Sequence, residues 1–203
     1  DKNWYAIFHA YENGYRPLGR QTLMLPVSWS DDGWPINENL NNAEGLYNKP
    51  KNGESVNHGM HLSDDFSSEK LAIQWRSYSK GKTEDFFKSG NQELVIKAKE
   101  HKLLDGSLLG FLPKNHSYEI SVKISKPKNT AIGGIALLPS AFNVENIAVN
   151  GIGISSDHII YHQNGKEKKD NAFKNKSVYF KIRNIENDLN LFYSTDEKTW
   201  IKT

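Results

Sequence analysis

Apolar residues recur at alternate positions in many short runs, and no stretch repeats them at the three-to-four spacing of a convincing amphipathic helix. Near the start, Trp4 to Ala10 is aromatic and β-favouring, and Glu12-Asn13-Gly14 then supplies a turn, which predicts a strand leading into a hairpin. Arg20 to Val27 predicts the returning strand, with Gln21, Leu23 and Leu25 on one face, Thr22 and Met24 on the other, and Pro26 placing its end near an edge. From Asn37 to Met60 the periodicity disappears among Asn, Gly and Lys, with Pro50 and Gly53 as breakers, as in a surface linker.

Beyond Met60 the alternation resumes. Strands are predicted over Leu71 to Tyr78, Glu93 to Ala98, Ser117 to Ile124, Ile132 to Leu138, Ile147 to Ile154, His158 to Gln163, Val178 to Arg183 and Leu189 to Tyr193. Gly90-Asn91, Pro127-Lys128-Asn129, Asn164-Gly165 and Glu186-Asn187 punctuate them, and this spacing predicts an antiparallel sandwich. Val178, Phe180 and Ile182 alternate with Tyr179, Lys181 and Arg183, so one face of that strand is core and the other wet. The predicted fold class is all-β, with a segment at residues 1–45, a linker at 46–60 and a β-sandwich at 61–203.

Composition removes several function classes. The 203 residues are 37% hydrophobic and 25% charged, and 26 basic against 24 acidic residues leave a formal charge of +2 spread along the chain. That balance gives no electrostatic footprint for nucleic acid, and no apolar run is long enough to span a bilayer as a helix. With no Cys there is neither a thiolate metal site nor a thiol nucleophile. The first residues, DKNWYAIFHAY, display no targeting signal.

The run WYAIFHAYENGYRPLGRQTLMLPVSWSDDGWPI, residues 4 to 36, closely resembles the last propeller blade of family 43 glycoside hydrolases, the β-xylosidase and α-L-arabinofuranosidase group. Downstream, DDFSSEKLAIQWRSY, NQELVIKAK and LNLFYSTDEKTWIK resemble the concanavalin A-like β-sandwich that many of these enzymes have behind the propeller. The resemblance implies the C-terminal part of a glycosidase acting on xylose- or arabinose-containing plant polysaccharide, with a secreted or periplasmic location and carbohydrate as partner. The apolar residues of the blade segment need a cover, for which the candidates are the chain's own sandwich, a second copy of the chain or a propeller portion, and docking on the sandwich of residues 60–203, aided by self-association, is the expectation. Glycoside hydrolysis normally uses two carboxyl groups flanking the scissile bond. In family 43 these come from earlier blades, which have no counterpart among these residues, so no catalytic residue is assigned and the chain by itself is expected to be inactive. The alternative is a non-catalytic carbohydrate-binding sandwich.

Arg20, in LGRQ, matches an Arg that in this family reaches into the substrate pocket, where a guanidinium donates to sugar hydroxyls. His9, in FHAY, matches a His near the propeller axis that in many members contacts a hydrated calcium. No cofactor is required, and Ca²⁺ is the metal that the resemblance would allow. The acids Glu12, Asp31, Asp32, Glu38 and Glu44 occupy turn or linker contexts. Trp29 and Trp34 are expected to close hydrophobic corners, and Trp75, Tyr193 and Trp200 to plug the sandwich. Asp64-Asp65-Phe66 either supplies a calcium ligand or starts a strand with Phe66 in the core. Lys166 to Lys169 is expected to be a solvated loop tip, and His158 and His162 share a strand face without a further ligand.

Overall fold

Strands form where side chains alternate, and their register sorts those side chains onto faces. The computed structural model describes residues 3–11, 19–37, 61–79, 81–98, 106–128, 130–138, 149–163, 166–186 and 188–203. The predicted turn at Glu12-Asn13-Gly14, the linker at 46–60, the acids Glu12, Glu38 and Glu44, and the turn at Asn164-Gly165 lie outside these residues. The described secondary structure is antiparallel β apart from one 3-10 turn, Thr83–Asp85, and no described helix is long and apolar enough to cross a membrane. The chain divides into two units, Asp1–Gly59 and Met60–Thr203.

The first unit has β1 (Trp4–Ala10), β2 (Gln21–Trp29) and β3 (Pro35–Ile36) in sheet order β1-β2-β3. β2 runs two residues beyond the sequence-based end at Val27, because β3 pairs only Ser28 and Trp29 and leaves the donor-less Pro26 outside its ladder. The Pro26 carbonyl accepts a hydrogen bond from Asn37 Nδ2 at 2.6 Å. Between β2 and β3, the Ser30 N–H donates to the Trp34 carbonyl at 2.9 Å, and Gly33 takes a φ of +86° that suits glycine. Register from Trp4↔Val27 to Ala10↔Gln21 puts Trp4, Ala6, Phe8, Leu23, Leu25 and Val27 on one face. Tyr5, Ile7, His9, Thr22 and Met24 lie on the other. Both faces are largely apolar, yet none of the described residues of this unit is buried. Trp29 meets Trp4 edge to face at 5.6 Å, but it remains 49% exposed and Trp34 68% exposed. The corner-closing role expected of these two indoles is therefore not fulfilled by the described residues.

The second unit holds two four-stranded sheets. One contains β8 (Tyr118–Ser125), β13 (Ser177–Ile185), β14 (Asp188–Ser194) and β15 (Ile201–Lys202), in order β15-β14-β13-β8. The other contains β9 (Gly133–Leu137), β10 (Asn150–Ile154), β11 (His158–Gln163) and β12 (Lys166–Ala172), in order β12-β11-β10-β9. Ile152, Ile154 and Ile159 from the second sheet pack with Val178, Phe180, Ile182 and Leu191 from the first, which is the interdigitated core of a sandwich. The described residues of the unit also form two short ladders: β4 (Arg76–Ser77) with β7 (Leu109–Gly110), and β5 (Phe87–Gly90) with β6 (Glu93–Ile96). β9 and β10 approach closely: a Cβ at Gly134 would overlap the Ile152 carbonyl oxygen, and one at Gly151 would lie 2.8 Å from the Ala136 Cβ.

Four expectations are corrected. Lys166 to Lys169 is not a loop tip but the first part of β12, paired with β11 from Gln163↔Lys166 to Ile160↔Lys169. Its charged side chains hide the strand, which the ladder and a Tyr193 hydroxyl to Asp170 bond at 2.9 Å hold in place. No strand starts at Phe66, whose φ of +55° is incompatible with one. The strand predicted from Leu71 shrinks to Arg76–Ser77. Trp200 does not plug the core: it lies outside the buried cluster, half-buried, with Lys181 Nζ 3.9 Å from its ring centroid.

Candidate functional site

The β1–β2 hairpin brings its two sequence-predicted site residues together. His9 lies opposite Thr22, and the diagonal neighbour of His9 is Arg20, two residues earlier on the returning chain. Arg20 Nη1 lies 3.2 Å from His9 Nε2. A guanidinium can only donate, so this bond requires Nε2 as acceptor and the imidazole proton on Nδ1. The Arg20 Cζ also lies 5.9 Å from the ring centroid of Tyr11, within cation–π range. All three residues are exposed. Tyr11 was not singled out from the sequence, although its position two residues after His9 puts it on the same face.

The site has donors and a π-face but no carboxylate among its described members. His9 engages a cation, and no group of three or more His, Asp or Glu side chains suited to a metal occurs among the described residues. Calcium prefers several oxygen ligands, so these donors do not fit it.

The acids elsewhere serve local structure. Asp64 accepts from the Phe66 N–H at 2.8 Å and from the Trp75 indole at 2.8 Å, which ties the segment to the Phe66–Trp75–Phe111 aromatic cluster. Asp32 hydrogen-bonds Ser30 within the β2–β3 turn. Backbone N–H groups of Thr199 and Lys198 pull Asp196 down to about 2. The Ser67 N–H lowers Asp65, and the His158 ring, 2.7 Å away, lowers Asp157. Burial pushes Glu119 up, but hydrogen bonds and charge from Lys181 at 3.0 Å and Arg183 at 2.7 Å outweigh it and leave the carboxyl below its usual value. Among the described residues, every carboxyl with a resolved shift lies below its usual value, the reverse of what a general acid needs. His162 sits 3.5 Å from Glu167, so His158 and His162 face different carboxylates.

No family model matches the chain. It is 35% identical over 82 residues to a β-xylosidase of Formosa agariphila, covering 37% of this chain and 14% of that protein. It is 31% identical over 78 residues to a non-reducing end α-L-arabinofuranosidase of Bacteroides ovatus, covering 37% and 15%. Among solved structures, the GH43 BlXynB protein from Bacillus licheniformis matches 99% of this chain with 41% of its own, at TM-score 0.71 and 20% identity. Xylan β-1,4-xylosidase from Bacillus halodurans C-125 matches 99% with 42% of its own, at TM-score 0.68 and 17% identity. The chain therefore spans less than half the length of the proteins whose fold it shares.

Proposed function

We propose that this chain, which has the sequence and fold of the C-terminal part of a family 43 glycoside hydrolase, is the non-catalytic part of a glycosidase acting on xylan or arabinoxylan, and that Arg20 and His9 contact the sugar. The observation that supports this most directly is the Arg20–His9 pair, an exposed and oriented guanidinium on one hairpin face. Among the described residues Arg20 spends one N–H on His9, which leaves its others for sugar hydroxyls. Asp65, Glu119, Asp157 and Asp196, held below their usual values, are poor general-acid candidates. A secreted or periplasmic location fits a plant-polysaccharide substrate.

A free-standing carbohydrate-binding sandwich has less support. On the β8–β13–β14–β15 sheet, the rings of Tyr179, Phe192 and Trp200 lie under Lys123, Arg183 and Lys181, at 5.4, 5.6 and 3.9 Å. Ring faces occupied by cations are poor platforms for sugar rings. The test is a titration of the chain with xylobiose and arabinose followed by NMR. Resonances of His9 and Arg20 should shift, and Arg20→Ala should remove the effect. Shifts confined to the sandwich would overturn the reading in favour of a binding module.

A further inference from the structure

We propose that Tyr11 is the positioning residue of this site, its ring and the His9 imidazole together holding the Arg20 guanidinium in one orientation. The inference rests on the reading that Arg20 meets the sugar, and it goes further by saying why that side chain would be ready to do so. A free Arg side chain is a long flexible stem whose planar fork is useful only when it is aimed. Here the hairpin register supplies two supports at once. Pairing runs from Trp4↔Val27 to Ala10↔Gln21, and one further step sets Tyr11 directly across from Arg20. His9, two residues back on the same face, is the diagonal neighbour.

The two contacts constrain different motions. The bond from Nη1 to His9 Nε2 at 3.2 Å fixes one end of the fork and so opposes its rotation. The Tyr11 ring, 5.9 Å from Cζ, favours a guanidinium over its π-face and opposes swinging away. Neither contact uses the Nε–H or the Nη2 hydrogens, so among the described residues the fork keeps adjacent donors for a ligand. The ring is needed and its hydroxyl is not, which separates this role from hydrogen bonding by Tyr11. The ring is also 43% exposed, so its removal leaves no cavity in a packed core.

The test reads Arg20 directly, without ligand, by NMR of the whole chain. The wild type should show nuclear Overhauser contacts between the Arg20 side chain and the Tyr11 ring, ring-current shifts of the Arg20 side-chain protons, and slowed rotation of its guanidinium. Tyr11→Phe should keep all three. Tyr11→Leu should lose the ring-current shifts and the slowed rotation while the amide spectrum of the sandwich stays unchanged. Wild-type chain without the Overhauser contacts, Tyr11→Leu with unchanged Arg20 signals, or Tyr11→Phe that behaves like Tyr11→Leu would each overturn the proposal. If Tyr11→Leu perturbs the fold of the hairpin, the wild-type contacts and the Tyr11→Phe spectrum decide. In a xylobiose titration Tyr11→Leu should weaken binding roughly two- to fivefold, the worth of an exposed cation–π contact, with Tyr11→Phe near wild type. A wild-type chain that holds Arg20 as described but ignores the sugar would support the positioning and count against the carbohydrate reading alone.

Discussion

Phe8 in β1 and Phe180 in β13 sit in similar aromatic and β-branched surroundings on antiparallel strands, yet Phe180 is fully buried and Phe8 is 38% exposed. The difference is one of layers. β13 has sheet neighbours on both sides, and a second sheet supplies Ile152, Ile154 and Ile159 against its inner face. β1 belongs to a three-stranded sheet whose two faces are both apolar and whose described residues are all at least partly exposed. A strand's apolar face stabilises a protein only when a second layer removes it from water. The sandwich makes its own core, whereas the described residues of the β1–β3 sheet leave both of its apolar faces at least partly exposed.

Mutations can break or sharpen that contrast. The largest effect is expected for Phe180→Ala, which should cost about 3–5 kcal/mol from the cavity it leaves in the core. Ile7→Ala, at a side chain 72% exposed, should change stability by no more than about 0.5 kcal/mol. Urea unfolding followed by Trp fluorescence would compare the two, and equal losses would contradict the account. Gly134→Ala comes next, at about 1–3 kcal/mol, because its Cβ would overlap the Ile152 carbonyl oxygen and force β9 from β10.

A smaller, pH-dependent loss is expected at the loop between β14 and β15. Asp196 falls from its ordinary value of 3.8 to about 2 in the folded chain. A depressed folded value means that the stabilisation is full above the unfolded value and disappears as pH falls through the folded one. Wild-type stability should therefore drop between about pH 4 and pH 2. In Asp196→Asn that drop should be shallower, which urea midpoints across the range would reveal. A small, salt-dependent effect is expected for Glu119→Gln. Its partners Lys181 and Arg183 sit on a partly solvated face, and such pairs contribute roughly 0.2–1 kcal/mol that added salt reduces.

Much of this organisation was legible along the chain where alternation was strict. Trp4 to Ala10 and His158 to Gln163 form strands with the predicted ends, and Val178, Phe180 and Ile182 face the core as their spacing requires. What escaped was set by tertiary pairing. The β12 sequence KEKKDNA has no apolar face to read, and it becomes a strand because β11 offers a ladder. Phe87–Gly90 is a strand through pairing with β6, while the mostly apolar Leu71 to Trp75 stretch stays irregular around the Asp64–Trp75 hydrogen bond. At the site, the residue types of His9 and Arg20 were visible in the resemblance, but their contact follows from a cross-strand register that only the paired strands fix. Tyr11 had no signal except its shared face with His9.

Native-state hydrogen exchange on the whole chain in dilute solution tests the central contrast most directly, because exchange reports local opening strand by strand. The amides of β10, β13 and β14 should exchange only through global unfolding, while those pairing β1 with β2 should exchange orders of magnitude faster through local opening. Equal protection of the two regions would contradict the account.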